Sequence, residues 1–366
     1  MQIRRTAVVV CLGLVPLMVP ALAQAQYQLT NLVSNQLDQH AANTDPLLVN
    51  AWGIARSATS PWWVTDNLSG WSTLYNAAGT PSALRVLIPT AGNGPVEATG
   101  ANGAGLPTGI VFNGSKTDFL VGTAASSFIF ATLDGTISAW PGANKNLATL
   151  KVDRSADKAS YTGLAITSNA SGNFLYAADN TNNHIDMFDG NYNLVMSFGD
   201  PSIPSNFSVF GVQDIGGMVY AAYADPSGGT GGYIDVFKED GTFVKTLIKG
   251  LPLNQPWGIT LAPSDFGPLS NALLISNNST PGTINGFDPT TGKFMGTIRD
   301  QFGFPIFFVN LWGLEFGGGA TNNGAANQLF VAVGPGIGAQ AQDAGTFSSI
   351  VFNPITNRGH GFGFGW

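Results

Sequence analysis

A short glycine-centred element recurs six times in this 366-residue chain, and no other feature restricts the fold as strongly. Asn50-Ala51-Trp52-Gly53-Ile54 returns as Pro107-Thr108-Gly109-Ile110, Tyr161-Thr162-Gly163-Leu164, Phe210-Gly211-Val212, Pro256-Trp257-Gly258-Ile259 and Leu311-Trp312-Gly313-Leu314. The glycines stand 56, 54, 48, 47 and 55 residues apart. Self-similarity at this period marks a repeat architecture, in which each unit buries its apolar face only against its neighbours.

Behind each element the same grammar follows. The third repeat continues with Phe174 to Asn180, His184 to Phe188, an Asp189-Gly190 turn and Leu194 to Phe198. The fourth continues with Met218 to Tyr223, Tyr233 to Phe237, an Asp240-Gly241 turn and Phe243 to Leu247. These are short runs of β-branched and aromatic residues separated by Gly, Asn and Asp, the composition of strands and tight turns. Four strands repeated six times predict an all-β, six-bladed β-propeller with four-stranded blades. The recurrent glycine belongs on the innermost strand, where backbones approach closely. The second repeat is less regular, with Phe119-Leu120-Val121 as an extra edge piece. The sixth runs out after Ser348 to Phe352, with no fourth strand left. Residues 28–33 precede the first repeat and supply the missing strand, closing the ring.

Residues 1–23 read as a secretory signal. Arg4 and Arg5 precede an apolar run, and Ala21-Leu22-Ala23 is a small-x-small cleavage site, with cleavage after Ala25 as the alternative. The expected location is secreted or periplasmic. Cleavage removes Cys11, the sole cysteine, so the mature chain forms no internal disulfide. No later run is long enough for a membrane-spanning helix, so membrane insertion is not expected. The chain carries 22 acidic and 15 basic residues. With no basic cluster, nucleic acid is excluded as a partner. Residues 27–354 form one propeller domain, expected to be a monomer, and residues 355–366 form a Gly/Phe-rich tail.

The candidate chemistry collects where inner strands begin and where the second and third strands of each blade turn. The inner-strand starts give Asn50, Thr108, Thr162 and Asn310 as ligand-binding residues. Trp52, Trp257 and Trp312 join them as an aromatic arc from blades one, five and six, suited to stacking on a sugar or flat ligand. Core packing between blades is the competing reading of the same tryptophans. The turns offer Asp66, Asp179, Asp225 and Asn277 as oxygen ligands for Ca²⁺ or another divalent metal, against which stands ordinary Asp/Asn turn chemistry. Asp38, His40 and Asp45, on the connection into the first blade, form a further acid/base or metal candidate, or simply a solvated turn. There is no Gly-x-Ser-x-Gly elbow, no His-Glu-x-x-His and no phosphate-cradling glycine loop, so no catalytic residue is assigned.

Leu32-Val33-Ser34-Asn35-Gln36, Thr44 to Ile54, Pro107 to Gly114 and Leu253 to Gly258 together resemble a family of secreted bacterial six-bladed propellers of unassigned function, some ending in a PEP-CTERM sorting tail. The resemblance spans the mature chain and implies the fold and export, but no reaction. The sorting tail is absent here. More distantly the repeat resembles NHL-type and gluconolactonase-like propellers, which hold a divalent metal at the channel mouth; no motif matches closely enough to carry their residues over.

Two functions stand foremost at this level, ahead of a structural envelope or matrix role for the outer surface. One is a binding module holding a small polar molecule or saccharide at the channel mouth. The other is a metal-dependent hydrolase, lactonase or lyase using a carboxylate ring at the same mouth.

Overall fold

The computed structural model describes residues 26–37, 40–93, 104–142, 146–334 and 344–354. Six sheets surround a central channel, each running from an inner to an outer strand. Blade one comprises Ala51–Ala55, Trp62–Asp66, Trp71–Tyr75 and Val86–Leu87; blade two comprises Pro107–Phe112, Phe128–Thr132, Thr136–Trp140 and Thr149–Asp153. Blade three is Tyr161–Asn169, Gly172–Asp179, His184–Phe188 and Leu194–Phe198; blade four is Ser208–Asp214, Met218–Ala224, Tyr233–Lys238 and Phe243–Lys249. Blade five is Pro256–Leu261, Leu273–Asn277, Ile284–Phe287 and Phe294–Thr297. Leu311–Phe316, Leu329–Val333 and Thr346–Asn353 build blade six.

Its fourth strand is Gln26–Ser34, antiparallel to Thr346–Asn353, so the two ends of the propeller close the ring as expected. Asn43–Thr44 then adds a short parallel fifth strand, which the repeat pattern did not announce. Leu120–Val121 pairs with Ala124–Ala125 in a separate small hairpin rather than on the edge of blade two.

The six glycines explain how the blades reach the axis. A Cβ on Gly211 would lie 2.0 Å from the Trp257 carbonyl oxygen of the next blade, and one on Gly53 would lie 2.3 Å from that of Thr108. The last glycine, Gly313, meets the carbonyl of Trp52 in blade one at 2.8 Å, completing the circuit. Each glycine is the point where one inner strand rests on the next, which only a residue without a side chain permits. The pairing of every inner strand with its neighbour shifts register here, a bulge at the point of contact.

Apolar side chains fill the gaps between sheets. Six clusters each span two adjacent blades; Trp63, Phe130 and Ile110 join blades one and two, and Leu32, Trp62 and Phe347 join blades six and one. The cluster between blades five and six includes Tyr27 of the closing strand, whose hydroxyl donates to the Phe266 carbonyl at 2.7 Å. Burial is thus spread over interfaces rather than one core, which is how a chain of this length avoids splitting into several domains.

Candidate ligand site at the channel mouth

Blades one, five and six share an entrance motif: a residue in the left-handed conformation, one spacer, then Trp-Gly. Asn50, Gln255 and Asn310 have φ of 54°, 57° and 53°, a conformation Asn tolerates better than most residues. The turn carries Trp52, Trp257 and Trp312 over the axis. Trp52 and Trp312 stack with ring centroids 3.5 Å apart, and Trp257 meets both edge-on at 6.4 and 6.0 Å. Trp257 Nε1 reaches across from blade five to donate to the Thr162 carbonyl of blade three at 2.8 Å. Phe210 and Leu133 complete this plug. The core reading of these tryptophans holds: the rings are buried against one another, and together they seal the channel.

Above the plug lies a cavity of about 590 Å³. Trp52, Trp312, Phe210 and Leu133 form its floor; Ser160, Thr162 and Asn180 line one wall, and Gln255, Asn278, Ser279, Thr280 and Asn310 the other. The third side is the longer turn of blade four, from Pro226 to Thr230. Gln255 holds that turn, its Nε2 donating to the carbonyls of Asp225 and Gly229 at 2.8 and 2.7 Å. No ionisable side chain lines the cavity among the described residues. Below the plug the channel narrows to about 50 Å³ and carries Glu315. Enclosure by protein pushes the Glu315 carboxyl up to about 7, while Arg56 at 3.5 Å pulls it back.

Four of the seven expected ligand residues line the cavity: Trp52, Thr162, Asn310 and Trp312. The other three have structural duties. Asn50 is buried and donates to Asn67 Oδ1 at 3.2 Å. Thr108 Oγ1 donates to the Tyr161 carbonyl of the next blade at 2.6 Å, and Trp257 lies beneath the floor. Phe210 and the Ser227-Gly228-Gly229-Thr230 turn are cavity elements not anticipated as such; the one sequence signal was the extra length of that turn.

The expected carboxylate ring does not form. Asp179, Asp225 and Asn277 each bind chain next to them, and Asp66 lies buried inside blade one. Asp179 Oδ1 accepts the Ser160 N–H at 3.1 Å, and Asn277 Oδ1 accepts the Asn254 N–H at 2.8 Å, so both brace the chain entering their blade. Asp225 caps an exposed turn through Ser227, whose hydroxyl and N–H hold its carboxyl below the usual range. Asp66 is fully buried, which pushes its carboxyl well above the ordinary carboxylate range.

The residue after each of these turns explains the repeated Asp/Asn-Asn pair. Asn67, Asn180 and Asn278 donate from Nδ2 to the carbonyls of Pro107, Val209 and Leu311, the first strands of the following blades. These are cross-ties between blades. In the remaining group, Asp45 accepts the Tyr75 hydroxyl at 2.9 Å and the Leu47 N–H, while His40 is exposed and Asp38 lies outside the described residues.

One ionisable cluster does assemble, on blade three. His184 Nε2 lies 3.1 Å from Asp186 Oδ1 and 3.6 Å from Asp179 Oδ2, and Arg154 Nε lies 3.2 Å from Asp186 Oδ2. Tyr161 and Ser197 also donate to Asp186, at 2.8 and 2.5 Å. Asp179, His184 and Asp186 bring ligand atoms within 4.8 Å of one another, but Arg154 already stands against Asp186 and Tyr161 and Ser197 donate to it, so the cluster reads as a strut between strands rather than an open metal site.

No family model matches the chain. An uncharacterized protein of Acanthamoeba polyphaga mimivirus is 31% identical over 316 residues, covering 81% of this chain and 75% of the viral one. A second uncharacterized mimivirus protein is 32% identical over 291 residues, and there the match covers 74% of this chain but only 51% of the relative. Among solved structures, a gluconolactonase of Xanthomonas campestris superposes with a TM-score of 0.53 at 14% identity, covering 84% and 88% of the two chains. Virginiamycin B lyase of Staphylococcus aureus superposes at 0.52 and 13% identity, covering 90% and 99%. At such identities the likeness is one of fold.

Proposed function

The chain belongs to the family of these uncharacterized mimivirus proteins, and from that premise we propose that it is an exported propeller binding a small, uncharged polar ligand, a saccharide by preference, in the cavity above the tryptophan plug. One observation carries the reading: a floor on which the partly exposed Phe210 and Leu133 lie over buried indoles, under walls of amides, hydroxyls and backbone broken only by Ala224 and Pro226. Sugars present an apolar face of C–H groups and a rim of hydroxyls, which suits that pairing of surfaces. Among the described residues a charged ligand would find no counter-charge there. A metal-dependent hydrolase, lactonase or lyase at the same mouth would need carboxylate or histidine ligands facing the cavity, and among the described residues none does.

The test is a titration of tryptophan fluorescence with neutral oligosaccharides, before and after chelation. A saturable change that survives chelator is expected. Phe210→Ala, which removes one side of the floor, should weaken binding at least about tenfold, or roughly 1.4 kcal/mol. A response to anionic ligands or to metal alone would sink this reading and revive the enzyme.

A further inference from the structure

The third strands of blades three, four and five carry a polar residue at one register position. Asp186 stands opposite Ala177 and Ser197, and Asp235 opposite Ala221 and Thr246. Asn285 stands opposite Ile275 and Thr297. In every case the side chain is buried and faces a hydroxyl on the outer strand. What differs is the charge brought by the connection into the blade. Blade three receives Arg154, which with His184 neutralises Asp186. Blade five needs no neutralisation, because Asn285 is uncharged and accepts from Thr297 Oγ1 at 2.8 Å. Blade four receives Asp200, a second carboxylate, within hydrogen-bonding reach of Asp235.

Asp235 is fully buried, and no hydrogen bond of proper geometry reaches either of its oxygens. The Tyr223 hydroxyl, also buried and without a partner, lies against Asp200 and Asp235. Two facing carboxylates beside a buried phenol, with no cationic side chain against them among the described residues, form an arrangement a fold does not keep without compensation. Burial pushes the Asp235 carboxyl up to about 7; the nearby Thr246 hydroxyl pulls it back, and Asp200 adds to the rise. Asp200 is half-buried and opens the group to solvent; its own oxygens accept from Ser202. We propose that Asp200, Asp235 and the Tyr223 hydroxyl form a site for a divalent cation, Ca²⁺ by its all-oxygen chemistry, which supplies to blade four the positive charge that Arg154 supplies to blade three. Oxygen-only donors with two carboxylates select a hard cation over Zn²⁺ or Cu²⁺. The site lies apart from the channel-mouth cavity and is independent of the ligand bound there.

The test uses chelator-stripped full chain at pH 8, with Ca²⁺ followed by calorimetry and Tb³⁺ by luminescence sensitised through Tyr223. One saturable site is expected. Asp235→Asn should weaken it at least tenfold without unfolding the chain, since Asn285 shows that blades accept asparagine at this position. Asp200→Arg should abolish uptake and raise the midpoint of the chelated protein, copying the solution of blade three. Asp179→Asn, which alters the blade-three cluster instead, should leave uptake unchanged. Failure of the native chain to take up either ion overturns the proposal and leaves a proton shared by the two carboxyls. Uptake that survives Asp235→Asn overturns it equally.

Discussion

Asp186 and Asp235 hold the same place in neighbouring blades under opposite electrostatics, and the contrast yields a pH signature. Burial works against the Asp186 charge, but donors from His184, Ser197 and Tyr161 outweigh it and hold the carboxyl below the usual range. Its hydrogen bond to Asp186 raises His184 in turn, against partial burial. Asp186 therefore lends stability that is lost as pH falls through its folded value, and His184 lends stability that is lost as pH rises through its own. Asp235 has the reverse sign for an acid. Its folded carboxyl binds a proton up to about pH 7 and its unfolded one only to about 3.8, so in chelator the folded state loses stability as pH rises between those values. The loss is about 4 kcal/mol at most. Asp235→Asn removes that slope; denaturant midpoints measured from pH 4 to 8 should be flatter than for the native chain, and parallel curves would contradict this assignment. None of this was legible in the sequence, where Asp186 and Asp235 are single letters inside strands and their partners lie on a connection that pattern does not place. The Asp-Asn pairs were legible but ambiguous. Their regular recurrence reported a repeated structural tie rather than a converging ligand set, because a residue facing the next blade recurs with the same period as one facing the axis.

At the scale of the element, the inner strand governs assembly. Its glycine is where adjacent blades touch backbone to backbone, and the closeness is graded: 2.0 Å from a hypothetical Cβ at Gly211, 3.2 Å at Gly163. Gly211→Ala must push the Trp257 carbonyl, and with it the plug, out of place. The expected cost is about 2–3 kcal/mol, as for other overpacked interior sites. Gly199→Ala, whose new methyl would meet nothing nearer than 3.5 Å, should stay within about 0.5 kcal/mol. Equal effects of the two in chemical denaturation would show that the glycines do not set the interblade distance. The glycines, the four strands per blade and the Trp-Gly arc were all readable, since close approach and strand period leave local marks. Outer strands were read less well. Blade one keeps only Val86–Leu87 of the run from Ala83 to Ile88: Val86, Leu87 and Ile88 are buried, while Ala83 and Arg85 are exposed and burial does not enforce pairing there. The cavity was half readable: its floor follows from the repeat, whereas the wall from Pro226 to Thr230 depends on a turn whose length alone departs from the pattern.

For the whole molecule, the decisive contact is the one that makes a line of blades into a ring. It is non-covalent. Gln26–Ser34 pairs with Thr346–Asn353 across more than 300 residues of sequence, and Tyr27 also anchors to blade five by donating to the Phe266 carbonyl and accepting the Leu269 N–H. Leu32 and Val33 of the same strand are buried against blade one. Without this strand, Thr346–Asn353 becomes an exposed edge, and two interblade clusters lose apolar members together. A chain beginning at Gln26 should unfold like the full chain. One beginning at Asn35 should melt well below it and associate through the open edge. Thermal unfolding with size-exclusion chromatography decides this, and equal midpoints with a monomeric peak would mean that the ring does not depend on closure. The same geometry bears on export. On the proposed export, a leader would have to be removed without cutting into the closing strand, which requires cleavage at or before Ala25. A chain recovered from the exported fraction is then expected to begin at Gln24 or Gln26 by intact mass, and a mass placing the start within residues 27–34, or an uncleaved chain, would count against that proposal.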